Sequence, residues 1–383
     1  MTSRSLAHLY LESLQERAYS LGYKFPSTTE ETFRRAVDLL AEREIFPPSQ
    51  EAKEWSKGLD TKTEVPTRFE DPTRYGVFMK CAQMIEEAAR ILSLPPIENR
   101  PLIGTLPTGL PNAMVIFVPP GEEYLIVLDP YVFDFSHRLS SIAARSLPCV
   151  DMKEGKAGYS LSVRDVKKNI AKTPVIARHF RELLLAYLFD ESPGDVPRYV
   201  PEAPYASLAS HLLSSMCLFV IGHEYGHLIG RHFSTDKTTL LPLLGENVEG
   251  VNFKWAQEVE ADAFGLQLTL VALEKQGADL TMSYFGADYF LSCIEILERS
   301  ISVVRTGKVK KGYLSPSHPP LQVRRDLLRE GIKVGAKQFA EVPIKWGIAL
   351  ERALNILWEE EMLLALFGYH MQRTKLAPVW QNL

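Results

Sequence analysis

The residues best suited to chemistry in this chain form the pentapeptide His223-Glu224-Tyr225-Gly226-His227, which has the pattern HExxH. A helix brings side chains four residues apart onto one face, so His223 and His227 can bind the same divalent metal ion. Glu224 can then stand beside the remaining coordination position and deprotonate a metal-bound water that attacks a carbonyl. The spacing therefore predicts metal-dependent hydrolysis of peptide bonds, with Glu224 as the general base.

A catalytic zinc ion takes three protein ligands and leaves a fourth position for water, so a further donor is needed. In the extended motif HExxHxxGxxH, a third histidine follows a glycine. Here Gly230 matches, but the histidine position holds Phe233, and His232 comes one residue early. If the helix continued, His232 would point away from the face of His223 and His227, because five steps of about 100° do not return to the same side. We therefore expect that His232 is not a ligand.

An acidic residue on a following helix is the other source of a third ligand. Glu258 and Asp262 lie four residues apart in the segment EVEAD, which places them on one helical face. Glu258 is predicted to bind the metal, and Asp262 to accept the free ring N–H of a metal-bound histidine, which fixes its tautomer. Glu260 is the competing ligand, but two helical steps turn it away from the face of Glu258.

The order HExxH followed by ExxAD resembles the gluzincin metallopeptidases, and in particular the M48 family. Further similar segments lie within 74–329: HEYGHLIGRH at 223–232, HPPLQVR at 318–324, and a strand that begins Pro111-Asn112-Ala113-Met114. The resemblance implies a zincin-like catalytic domain with a small β-sheet and an HExxH active-site helix. It also implies one Zn²⁺ ion per chain, held by the two histidines and Glu258.

The same resemblance implies roles for residues outside the metal group. His318 or the nearby Arg324 would donate a hydrogen bond to the oxyanion that forms in the transition state. Tyr313 is a further candidate for that role, and helix capping or packing is the alternative role for His318. Asn112 and Ala113 would belong to an edge strand whose backbone pairs with extended substrate.

The composition of the chain argues against some classes of function. Lys and Arg number 43 against 47 Asp and Glu, and the net charge of −4 gives no electrostatic reason to bind nucleic acid or anionic lipid. Four scattered cysteines without a CxxC pair are expected to be reduced thiols. The apolar run at 212–222 is much shorter than the roughly 20 residues that span a bilayer, and the N-terminus lacks the apolar core of a signal peptide. We therefore expect a cytoplasmic protein without a membrane span.

A mostly helical α+β fold is predicted to position these residues. Apolar spacing predicts helices over 6–21, 30–44, 74–92, 205–230, 255–275 and 283–304, and one or two helices over 344–371. Residues 114–118 and 124–128 are predicted to be adjacent strands joined by a turn. Gly222, Gly226 and Gly230 form a stripe on the active-site helix, against which we expect another backbone to pack closely.

Three regions are predicted along the chain. They are an N-terminal helical region at 1–70, a metallopeptidase domain at 71–333 with an insert at about 137–206, and a C-terminal helical region at 334–383.

The combined features predict a zinc-dependent endopeptidase that acts on protein or peptide substrates. Two alternatives are a narrowly specific regulatory protease that cuts one partner protein, and a metal-containing binding module whose catalytic activity is absent or latent. The presence of Glu224 counts against the binding module, which has no use for a base at that position.

Overall fold

The structure is a computed structural model that describes residues 5–23, 25, 64–107, 113–118, 123–153, 156–190, 193–197, 199–234, 239–243, 246–250, 255–310 and 318–381. The chain divides into two compact units, the first made of Met1–Val132 and Cys217–Ala272, the second of Phe133–Met216 and Leu273–Leu383. The predicted boundaries at 70/71 and 333/334 each fall inside one unit, so the predicted regions do not coincide with this division.

Helices account for most of the described residues, as the sequence predicted. In chain order they are α1 (Leu6–Ser20), α2 (Pro72–Ile91), α3 (Pro130–Ser146), α4 (Val163–Lys172), α5 (Pro174–Leu185), α6 (Ala203–Ile229), α7 (Trp255–Glu274), α8 (Leu280–Thr306), α9 (Leu321–Ala336), α10 (Glu341–Leu357), α11 (Leu363–Met371) and α12 (Pro378–Gln381). Within the predicted region 344–371, a π-helical turn at Trp358–Met362 separates α10 from α11. The helix predicted at 30–44 lies outside the described residues.

A small sheet accompanies the helices, and the predicted strands at 114–118 and 124–128 belong to it. The described strands are β1 (Leu102–Thr105), β2 (Ala113–Val118), β3 (Glu123–Leu128), β4 (Cys149–Lys153), β5 (Lys156–Tyr159), β6 (Thr239–Leu243) and β7 (Glu246–Gly250). Five of them form a sheet in the first unit in the order β1-β3-β2-β7-β6. Only β1 and β3 pair in parallel within that sheet. β4 and β5 form a separate antiparallel hairpin in the second unit.

The expectation that Ala113 lies on an edge strand is wrong. β2 pairs with β3 along its whole length, and on its other side Ile116 pairs with Gly250 of β7. The hairpin of β6 and β7, which was not predicted from the sequence, thus places β2 inside the sheet. An extended substrate could not pair with β2 at Ile116 while β7 occupies that side. Asn112 lies outside the described residues.

The core of the first unit forms where α1 packs on the sheet. Leu11 and Leu14 of α1 belong to one buried cluster with Ile116, Leu125 and Val127 of β2 and β3. Burial of each such side chain contributes about 1.5–3 kcal/mol of hydrophobic stabilisation. The N-terminal helix is therefore part of the unit that contains the HExxH residues.

The second unit contains a buried network of charges around α8. Arg325 of α9 is fully buried and lies 3.3 Å from Asp288 and 3.1 Å from Glu295, both on α8. Arg329 pairs with Asp288 at 2.9 Å and with Glu351 of α10 at 2.8 Å. Burying a charge without its partner is strongly unfavourable. Removing one charged residue of the network should therefore lower the free energy of unfolding substantially, because its partners stay buried with fewer opposite charges.

Among the described residues, α6 is the one helix long and apolar enough to cross a membrane by length and composition. It has 27 residues, more than the apolar run counted from the sequence, and 67% of its apolar window is buried within the protein. A helix in the core of a soluble protein has the same properties, so the absence of a membrane span stays a prediction.

Candidate metal centre

Three buried side chains on α6 and α7 bring their donor atoms together. His223 and His227 lie on α6, and Glu258 lies in the first turn of α7, where the helix dipole favours a carboxylate. The Nε2 atoms of the two histidines are 3.2 Å apart. A carboxylate oxygen of Glu258 lies 3.5 Å from Nε2 of His223, and the other lies 3.7 Å from Nε2 of His227. This group could hold a metal ion.

The spacing of the donor atoms suits a single metal ion. Zinc bonds to nitrogen and oxygen are about 2.0–2.2 Å long, so neighbouring donors of a tetrahedral site lie about 3.3–3.6 Å apart. The two nitrogens are 3.2 Å apart, and the 3.5 and 3.7 Å separations join each nitrogen to a different oxygen of Glu258. One donor atom from each of the three residues can be chosen so that all lie within 4.8 Å of one another, so the donor types and their proximity suit one metal ion.

Close contact between α6 and α7 brings Glu258 to the histidines. A Cβ atom added to Gly222 would lie 3.1 Å from the backbone oxygen of Gly265 on α7. A Cβ atom added to Gly226 would lie 2.9 Å from the backbone oxygen of Ala261. The prediction that another backbone packs against the glycine stripe is therefore confirmed at Gly222 and Gly226, and that backbone is α7.

Asp262 orients the first histidine. Its Oδ1 atom lies 2.9 Å from Nδ1 of His223, so Nδ1–H donates to the carboxylate and Nε2 is left to face the other donors. Burial opposes the charged imidazole, but hydrogen bonds to Asp262 and Glu258 outweigh it and raise the pKa of His223 to about 10. In the metal-free protein, His223 thus carries a second ring proton, on Nε2, at neutral pH, and a metal ion must displace it.

His232 lies beside the metal group although it is not one of the three donors. α6 ends at Ile229, and Arg231 has a left-handed backbone with φ 53°, so the chain turns back before His232. The Nδ1 atom of His232 lies 2.9 Å from Nδ1 of His227, and its Nε2 atom lies 3.1 Å from Oε2 of Glu260. The described metal group excludes His232, as predicted, but the helix ends before this residue, so its ring does not point away as it would on a continued helix.

The side chains of the centre are shielded from water. His223 is 6% exposed, and Glu224, His227, Glu258 and Asp262 are each 2% exposed. At such low exposure the effective dielectric constant is low, which strengthens the interactions among these charged and polar groups.

The other predicted site residues lie elsewhere in the chain. His318 is partly buried just before α9, and Arg324 is 7% exposed in the first turn of that helix. Both belong to the second unit, whereas the metal group belongs to the first. Ala113 begins β2, and Tyr313 lies outside the described residues. Their roles in catalysis stay predictions.

Comparison of the chain with protein-family models, with curated proteins and with solved structures gave no match in any of the three searches.

Proposed function

We propose that this chain is a zinc-dependent endopeptidase of the gluzincin type, similar to the M48 family, that acts on protein or peptide substrates. The observation that carries the proposal is the convergence of His223, His227 and Glu258 at distances suited to one metal ion. Glu224 lies next to the first of these ligands in sequence, in the position that metallopeptidase chemistry assigns to a general base.

The donor set supports zinc as the ion. Two imidazoles and one carboxylate are among the ligand sets of catalytic zinc, which requires three protein ligands. Calcium and magnesium prefer oxygen ligands throughout, so the two histidines favour a transition metal. When bound, a zinc ion polarises a substrate carbonyl and lowers the pKa of a coordinated water to about 7.

The residues of the chain supply the remaining steps. Asp262 holds the ring of His223, and the carboxylate of Glu224 accepts a proton from the attacking water and passes it to the leaving amine. The carbonyl carbon gains an oxygen from water as its bond to nitrogen breaks, so the products are a carboxylate and an amine. We further propose that His318 or Arg324 donates a hydrogen bond to the oxyanion.

The burial of the centre bears on the choice among kinds of protease. Side chains that are only 2–6% exposed leave little of the group at the surface, so a substrate can approach the ion only through its open coordination position. This favours a protease with restricted access, such as one that cuts a particular partner, over an enzyme open to every unfolded chain. It also makes a metal-containing module with latent activity the second candidate function.

Hydrolysis of an unfolded protein by the wild type and by Glu224→Gln tests the proposal, with zinc measured in both preparations. We expect about one zinc ion per chain in each protein and cleavage by the wild type alone. Equal cleavage by Glu224→Gln would contradict the assigned base. A zinc-loaded wild type that cleaves neither this substrate nor any protein in a cell extract would support the latent module instead.

A further inference from the structure

His232 has two hydrogen-bond partners of different kinds, one on each ring nitrogen. Nδ1 faces the metal-group residue His227 at 2.9 Å, and Nε2 faces Glu260 of α7 at 3.1 Å. The imidazole itself is 4% exposed, whereas the side chain of Glu260 is 55% exposed. His232 thus connects a buried donor of the metal group to a carboxylate at the surface.

One assignment of ring protons satisfies both the contact between His227 and His232 and the contact between His232 and Glu260. Nε2 of His227 faces the other donors of the metal group, so its proton resides on Nδ1 and is donated to Nδ1 of His232. His232 must then carry its own proton on Nε2, from which it donates to Oε2 of Glu260. The anionic acceptor at the end of the chain therefore favours the tautomer of His227 that leaves Nε2 available to a metal.

The backbone between the two histidines is adapted to this contact. α6 ends at Ile229, and the left-handed conformation of Arg231 returns the chain towards the helix. A Cβ atom on Gly230 would lie 2.4 Å from Nε2 of His232, so any larger residue there would displace the ring. Gly230 thus accommodates an imidazole, not the backbone of α7 as the glycine stripe had suggested.

We propose that His232 and Glu260 form a positioning pair for the second metal ligand, an inference that rests on the proposed metal centre. The pair orients the ring of His227 as Asp262 orients the ring of His223. Here the acceptor is the imidazole of His232, which in turn donates to the surface carboxylate of Glu260. It fixes the ring orientation and tautomer of His227 and links the end of α6 to α7. Loss of such an outer partner weakens metal binding by about 10–100-fold.

The test is zinc affinity, measured by competition with a chelator, for the wild type, His232→Ala, His232→Asn and Glu260→Gln. We expect His232→Ala to bind zinc about 10–100-fold more weakly. In His232→Asn, the side-chain oxygen takes the place of Nδ1 and still accepts from His227, so most of the affinity should return. Glu260→Gln should bind several-fold more weakly, by roughly threefold or more. Glu274→Gln, at the exposed end of α7, is the matched control and should leave affinity unchanged.

A double-mutant cycle separates positioning from general packing. If the pair acts as one unit, Glu260→Gln should have no further effect once His232 is alanine. Unchanged affinity in His232→Ala and Glu260→Gln, or simple additivity of their effects, would overturn the pair. If His232→Ala does not fold, Glu260→Gln and His232→Asn decide the matter, since Glu260 is largely exposed. A wild type that binds no zinc would instead refute the metal centre itself.

Discussion

Replacing Gly226 with alanine tests the helix contact that sets the geometry of the metal group. The new Cβ atom would lie 3.0 Å from the Cα atom of Ala261 and 3.0 Å from the Cβ atom of Phe264. Carbon atoms pack best about 3.5–4.0 Å apart, so α6 and α7 must separate locally by a few tenths of an ångström. Neither neighbouring atom can move by a side-chain rotation, because one is backbone and the other is fixed to it.

A shift of this size exceeds the tolerance of a metal site. Metal–ligand distances are held within about 0.2 Å, and Glu258 on α7 must share one ion with the histidines on α6. We expect Gly226→Ala to weaken zinc binding by about tenfold or more. Overpacking should also lower the free energy of unfolding by about 1–3 kcal/mol, despite the better helix propensity of alanine.

Gly331→Ala on α9 is the matched control, because a Cβ atom there would have no neighbour within 4 Å. It should raise the free energy of unfolding by about 0.5–1 kcal/mol and leave zinc binding unchanged. Denaturant unfolding and chelator competition measure both quantities. If Gly226→Ala were as stable as Gly331→Ala and bound zinc like the wild type, α6 and α7 would not pack as closely as described.

Three further outcomes follow from the charges of the structure. The pKa of His223 is raised to about 10 in the metal-free protein, so zinc binding should release one proton. Zinc affinity should therefore increase about tenfold per pH unit from pH 7 to 9. A pH-independent affinity would contradict this. The same shift stabilises the metal-free fold below pH 6.5, and this contribution is lost as the pH rises through about 10. Arg325→Ala should lower the free energy of unfolding by about 3–5 kcal/mol, since it removes the fully buried cation that Asp288 and Glu295 share and leaves Asp288 paired with Arg329. Lys345→Ala, which removes only an exposed pair with Glu341, should change it by less than about 0.5 kcal/mol.

The metal group could be predicted from the sequence because it depends on local spacing. Residues four apart share a helical face, and this places His223 beside His227 and Glu258 beside Asp262 in two segments that are helical in the structure. The convergence of the two helices was signalled only indirectly, by Gly222 and the other glycines of the stripe.

The position of His232 could not be predicted from helical spacing alone, because it depends on where α6 ends. Gly230 near the end of a helical pattern is a known stop signal, and a helix that ended there would have freed His232 to turn back. The sequence does not show that Arg231 takes the left-handed conformation, which asparagine or glycine adopts far more readily.

The interior position of β2 depends on a pairing between residues that are distant in sequence. Ile116 pairs with Gly250, and the hairpin that supplies β7 lies between the HExxH segment and the ligand helix. The apolar run at 114–118 predicts that a strand exists but not which neighbours it acquires.

X-ray absorption at the zinc edge of the purified protein tests the central claim most directly. We expect about one zinc ion per chain, surrounded by nitrogen and oxygen atoms at about 2.0–2.2 Å with the scattering pattern of two imidazoles. His227→Ala should abolish that signal. A protein with no stoichiometric metal, or with sulfur ligands at about 2.3 Å, would show that His223, His227 and Glu258 do not form the metal centre.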